Sequence, residues 1–343
     1  VNADLIIAFL RNALRQKALE DRLINQAVAD LRSTLRAVEG ILQQSSALTV
    51  GINRQRAIES VAAAVARNVQ QAWGVPELAK LQQALTPFIE EQLEFGRRVI
   101  DLAGGSLANP GAATLAANQA VNNAVIGGKT LAETLTQSFP ALVADRVERY
   151  LRLGLQQAAG EVEVIGYKDA VVTVSERNVT AIIRTGVQEV ASAAQQAIYA
   201  FEADPDWLEG RLTWTAVLDS AVCPVCIGLD GKEYELGQAA PYFDGRNKVS
   251  PHFSCRCFLI PSKWREETMQ PPDGGRPQPT ARPAEGDSGE QTISFRKTVN
   301  QWLRDNPDTT KQIFGKRLGS RLLDREDKLD LPSAIRLWQA PSR

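Results

Sequence analysis

Histidine is all but missing from this chain of 343 residues, which has only His252. A single imidazole excludes a His-pair metal site, an HExxH metalloprotease helix and a multi-His proton relay within one chain. Cysteine is scarce too, with four residues, which does not fit a disulfide-rich secreted scaffold. An excess of one charge sign is also lacking. There are 39 Lys and Arg against 40 Asp and Glu, a net charge of -1, so neither a basic nucleic-acid coat nor an acidic solvating tail is the overall plan. No long hydrophobic run occurs. The uncharged stretch from Leu102 to Gly128 contains Asn109, Asn118, Gln119, Asn122 and Asn123, and is too polar to span a bilayer. The apolar patch Leu5 to Leu10 has no basic region before it and reads as the start of a helix, not a signal peptide. The expectation is a soluble protein made in a reducing cytoplasm. With 44% hydrophobic and 23% charged residues the chain is of globular composition, long enough for one large domain or two to three smaller ones.

The first 205 residues read as helix. Ile24, Val28, Leu31, Leu35, Val38 and Leu42 alternate spacings of four and three, which draws one apolar seam along a helix from about Asn2 to Gln44. Ile58, Val61, Val65, Val69 and Trp73 predict a second helix ending near Gly74-Val-Pro76. The seam serves ordinary helix packing or a partner helix. Gly128-Lys129-Thr130 is not a phosphate loop, because Asn123 stands where the first Gly is required. Val162 to Val174 alternates apolar and polar residues as a short hairpin would, and Thr173-x-x-Glu176 reads as a capping box. Beyond it Ile183, Val187, Val190, Ala194, Ile198 and Phe201 predict one face of a long helix that stops at Ala203-Asp-Pro205.

The pattern then changes. Leu212 to Leu218 is β-branched and aromatic, a strand that leads into the cysteines. Residues 271–290 hold five Pro and four Gly, as expected of a flexible, partly extended tether. From Ile293 onward there are 11 Lys and Arg against 6 Asp and Glu, so this tail carries +5 and the remainder -6. These shifts predict four segments: a helical region at 1–205, a cysteine-rich module at 206–263, a Pro/Gly linker at 264–292 and a basic helical tail at 293–343. The fold class expected is mainly α, with a small zinc-knuckle α+β module, a disordered linker and a short helical tail.

All five residues that suit a soft metal fall within 35 positions: Cys223, Cys226, His252, Cys255 and Cys257. Cys223-Pro-Val-Cys226 is a C-x2-C turn that aims two thiolates at one point, and His252-x-x-Cys255-x-Cys257 supplies the partners for a tetrahedral Zn²⁺ site. Four of the five are expected to ligate, with either Cys255 or Cys257 as the fourth. A site filled by protein ligands has no open position, so the zinc would be structural. Disulfides, a Cys223–Cys226 redox pair and a metal-dependent nuclease with Asp219, Asp230 and Asp244 are the competing readings.

Trp214-x4-Asp219-x3-Cys223-Pro-x-Cys226-x2-Leu229-Asp230-Gly231, followed by Pro251-His252-x2-Cys255-Arg256-Cys257 and Pro261, resembles the signature of phage Mu F-like head-morphogenesis proteins. These are minor capsid proteins of tailed phages. Trp302-Leu303 and Phe314-Gly315-Lys316-Arg317 are similar to features of that family's tail. The chain departs from the pattern at Ala221, where Arg is frequent, and at Phe253, where Pro is frequent. The resemblance implies a non-catalytic structural protein of the virion, inside the head near the portal vertex and in the host cytoplasm during assembly. It would be present in several copies and act in head assembly and DNA packaging or delivery. Its implied partners are portal and capsid proteins; the charge of the basic tail adds packaged DNA as a candidate contact, and no membrane partner is expected. The alternative is a zinc-containing nucleic-acid-binding or nuclease-like protein that uses that tail.

Overall fold

The structure, a computed structural model, describes residues 3–44, 54–102, 104–123, 125–126, 129–158, 166–208, 210–218, 222–235, 257–262, 281–283, 292–294, 299–324 and 330–339. These residues are mainly helical, with a small antiparallel sheet. They divide into two compact units that interleave along the chain. One comprises residues 16–89 and 118–190; the other comprises 1–15, 90–117 and 191–343. The four segments expected from composition instead follow the chain end to end.

The helices as far as residue 201 are α1 (Ala3–Gln44), α2 (Arg54–Val69), α3 (Val75–Leu102), α4 (Ala113–Asn123), α5 (Leu131–Glu133), α6 (Phe139–Ala158) and α7 (Val174–Phe201). On α1 the fully buried stripe is Leu23, Ala27, Leu31, Leu35 and Val38. This is the predicted seam turned slightly, since Ile24 and Val28 lie at its margin. Within the first unit α2 packs on α6. Trp73 is 1% exposed, its ring centroid lies 4.8 Å from that of Phe139 with the planes tilted by 50°, and its Nε1 donates to the Ala27 carbonyl at 3.0 Å. A buried indole thus both fills the core and satisfies its one donor.

The second predicted helix does not end at Gly74-Val-Pro76. A π turn at Gln70–Gly74, closed by Val75 N donating to Gln70 O, carries α2 directly into α3. Pro76 has no N–H to give, and here it follows a turn where the i→i−4 ladder is already interrupted. The expected hairpin is also absent from its described part, where Lys168–Thr173 is another π turn leading into α7. The Thr173–Glu176 capping box does not form, because Thr173 lies inside a continuous helical run, and Glu176 takes the Arg32 guanidinium at 2.5 and 3.0 Å. A capping box does form at Thr130 and Glu133, beside a two-residue hairpin of β1 (Val125–Ile126) and β2 (Lys129–Thr130).

In the other unit α7 ends at Phe201, which is 51% exposed and so lies off the apolar face it was assigned to. The next residue, Glu202, is completely buried and bound by Arg97 at 2.6 and 2.8 Å, with Ala113 N donating to it at 3.1 Å. Its backbone carbonyl accepts from Ala108 N, so one residue fastens the 104–113 loop to the end of α7. The short helix α8 (Pro205–Leu208) follows. Then come β3 (Arg211–Thr215), α9 (Pro224–Leu229), β4 (Glu233–Glu235) and β5 (Phe258–Pro261), with strand order β4-β3-β5, all antiparallel.

Strand β6 (Ala281–Pro283), inside the segment expected to be an unstructured tether, pairs with β7 (Thr292–Ser294) at the end of that segment. The tail forms α10 (Val299–Asp305), α11 (Pro307–Phe314), α12 (Lys316–Leu323) and α13 (Leu331–Gln339). Trp302, fully buried, and Leu303, Ile313 and Phe314 make its core, as their apolar pattern predicts.

Arg97 holds the Glu202 carboxyl below the ordinary carboxylate range, against the upward push of burial. A depressed value means that the pair stabilises the fold above the unfolded carboxylate pKa of about 4.3 and that this is lost as pH falls through the lowered value. Arg97→Ala is expected to cost about 3 kcal/mol at pH 7, the low end for a broken buried pair, because Arg97 is partly solvated. Denaturant unfolding at pH 7 and pH 3 checks this: the gap between variant and wild type should narrow in acid.

Candidate metal centre

β3 is the central strand of its sheet and is covered on both faces. Leu212, Thr213, Trp214 and Thr215 are each no more than 4% exposed. Alternation puts Leu212 and Trp214 on one face with Tyr234, Leu259 and Pro261. Thr213 lies on the other, where its hydroxyl meets that of Ser262 at 2.7 Å. Tyr234 has a buried hydroxyl, and burial pushes its pKa up.

The chain leaves β3 at Thr215 and is tied back to it within sixteen residues. Ala216 N donates to Asp230 Oδ1 at 2.9 Å. Gly231 N donates to the Trp214 carbonyl, and Trp214 N to the Lys232 carbonyl, both at 2.9 Å. Gly231 has φ 82°, a left-handed conformation that suits glycine and that any Cβ would strain. The Leu229-Asp230-Gly231 run is therefore the clasp of a closed loop. Within that loop lies the cysteine turn.

Cys223 is the residue before the first turn of α9, in extended conformation with φ -90° and ψ 154°. Its Sγ accepts from Cys226 N at 3.3 Å, and its carbonyl accepts from Ile227 N at 3.1 Å. Pro224 occupies the first position of the helix, where no N–H is needed. An amide aimed at a sulfur favours its thiolate form, which is the form that binds a metal. Cys223 is half-buried, while Cys226 is 1% exposed.

Cys257 is buried and immediately precedes β5. Since Thr215 pairs with Phe258, Cys257 stands at the same end of the sheet as Ala216, where Asp230 closes the loop. The topology thus places Cys257 at the end of β3 from which the loop carrying the C-x2-C turn departs. His252 and Cys255 lie outside the described residues. Among the described residues no three His, Cys, Asp or Glu side chains form a group that could hold a metal. The donor chemistry present, two thiols offered by one turn with an N–H···S contact, fits half of a Zn²⁺ site.

Of the acidic residues considered for a catalytic Mg²⁺, Asp219 and Asp244 lie outside the described residues, and Asp230 spends one carboxylate oxygen on the Ala216 amide. Sequence reasoning counted Asp230 as part of a motif or as a ligand. Its work as a loop closer has no signal in spacing, because the partner is a backbone amide 14 residues away. No family model, curated protein or solved structure matches this chain.

Asp230→Ala leaves the Ala216 amide without its acceptor and should cost about 1–3 kcal/mol. Asp230→Asn, which keeps an oxygen at that place, should recover most of it. Thermal unfolding of the two variants decides the point: equal melting of Asp230→Ala and wild type would remove the loop closure.

Proposed function

We propose that this chain is a structural, non-catalytic minor head protein of a tailed bacteriophage, acting near the portal in head assembly and in DNA packaging or delivery. Its cysteine module is proposed to hold one structural Zn²⁺ on four of Cys223, Cys226, His252, Cys255 and Cys257. The observation that carries the reading is local. The described residues that bear the resemblance, Trp214, Cys223, Cys226, Leu229, Asp230, Gly231, Cys257 and Pro261, fall on one sheet and the short loop closed upon it. Each supports the turn or the strand that presents a thiol, which is what a metal-stapled module requires. When bound, the metal would cross-link the turn to the strand that follows; the chain's own part is to hold the thiols at the helix start and to keep Cys226 from water. The long helices supply surface for docking on portal and capsid proteins.

A second reading, a zinc-containing protein that binds nucleic acid, draws on one feature. Helix α12 exposes Lys316, Arg317 and Arg321 within two turns of a compact helical tail. Phosphate contacts would make such binding fall steeply with salt.

Elemental analysis of the purified protein is expected to give about one zinc per chain, a ratio that follows from four-ligand structural sites. Cys226→Ser and His252→Ala should lose the metal and melt earlier, while the purified protein cleaves no DNA with Mg²⁺ or Mn²⁺. Unchanged melting in both variants would sink the zinc site. Pull-down from infected cells should recover portal protein and assembled heads; nuclease activity lost on Asp219→Ala would favour the second reading.

A further inference from the structure

The last helix of the chain returns to the cysteine turn. Helix α13 packs on α9, across more than a hundred residues of sequence, and also on α12. The contact is keyed at one point. A Cβ placed on Gly228 would stand 2.8 Å from Cδ1 of Ile335, so the side chain of Ile335 occupies the space a larger residue at 228 would need. Ala334, beside it, is fully buried. Asp230's counterpart on this helix is Asp330, whose Oδ1 accepts from Ser333 N at 2.8 Å and whose carbonyl accepts from Ala334 N at 2.9 Å, fixing where α13 begins.

Helix α9 has six residues. A helix so short does not hold itself in water, and its order comes from what packs on it. Pro224, Cys226, Ile227 and Leu229 are buried, and the Gly228 face is the one that meets Ile335. The two thiols at the head of α9 therefore depend on a helix that belongs to the tail.

We infer that α13 is a detachable clasp on the cysteine turn: seated, with Ile335 against Gly228, it holds α9 and the Cys223–Cys226 turn closed, and when withdrawn it lets that turn open. The contact rests on half-buried Ile335 and buried Ala334, and a local opening of one helix costs less than unfolding the module. Since α13 also packs on α12, whatever binds the basic tail and displaces α13 must loosen the thiol turn, and an opened turn must in return favour that binding. The consequence for metal retention rests on the zinc reading given above; the clasp itself does not.

Hydrogen exchange of the full chain, followed by mass spectrometry, tests this from both sides of the contact. Ile335→Asp places a charge in the apolar seat, and Gly228→Leu fills the seat from the α9 side. Both are expected to speed exchange of amides 222–229 at least tenfold, with α3 amides unchanged, and to raise the reaction rate of the Cys223 and Cys226 thiols with a disulfide reagent by a similar factor. Exchange within twofold of wild type in both variants overturns the clasp. So does an equal rise in α3, since a clasp acts locally. Zinc content is measured on the same samples. A wild-type protein without zinc defeats the metal reading while the exchange rates still decide the clasp.

Discussion

The cysteine module depends on a loop pinned at both ends to one buried strand. Asp230 takes the Ala216 amide, and Gly231 and Lys232 bond the backbone of Trp214. With those bonds made, the two ends of a segment poor in large apolar side chains are held together, and the thiols of Cys223 and Cys226 are presented by a helix start. The amide of Ala216, a residue fully buried at the end of that strand, would cost more left unbonded than the hydrogen bond returns in water. Gly231 enables the closure by taking a φ that other residues resist.

Chemistry of the same kind recurs in the helical parts. Glu202 ends α7, binds Arg97 and gathers the amide of Ala113, so a charge buried away from water is matched by a cation and backbone donors. Trp73 and Tyr167 each cross the core of their unit to reach a backbone carbonyl of α1, at Ala27 and Leu35. These are single, directional contacts laid over a continuous apolar core, and they fix the register of helices whose apolar seams alone would allow sliding.

The tail has two aspects that sit in one short stretch. Its core of Trp302, Leu303, Ile313 and Phe314 makes α10, α11 and α12 a packed group, while α12 turns Lys316, Arg317 and Arg321 outward. Its last helix faces the cysteine turn. A segment that composition separates from the module by a Pro/Gly stretch is thus one of the module's packing partners. Linker composition sets how freely a chain can move between two points, but not where its far end comes to rest.

Sequence by itself determined the helical class, the seams of α1, α2 and α7, the strand at β3 and the clustering of the thiols, because period and local chemistry are carried by near neighbours. Leu31, Leu35 and Val38 could be placed on a core face from spacing alone, and Cys223-Pro-Val-Cys226 could be read as a turn. The structure decided the rest. It carried the helix through Gly74-Val-Pro76 by a π turn, turned Lys168–Thr173 from a hairpin into helix, moved Phe201 to the surface and assigned Glu176 to Arg32 in place of a cap. It also set Ile335 against Gly228 and gave Asp230 to a backbone amide. Each of these outcomes turns on which atoms arrive from distant parts of the chain, and a pattern of neighbours has no record of arrivals.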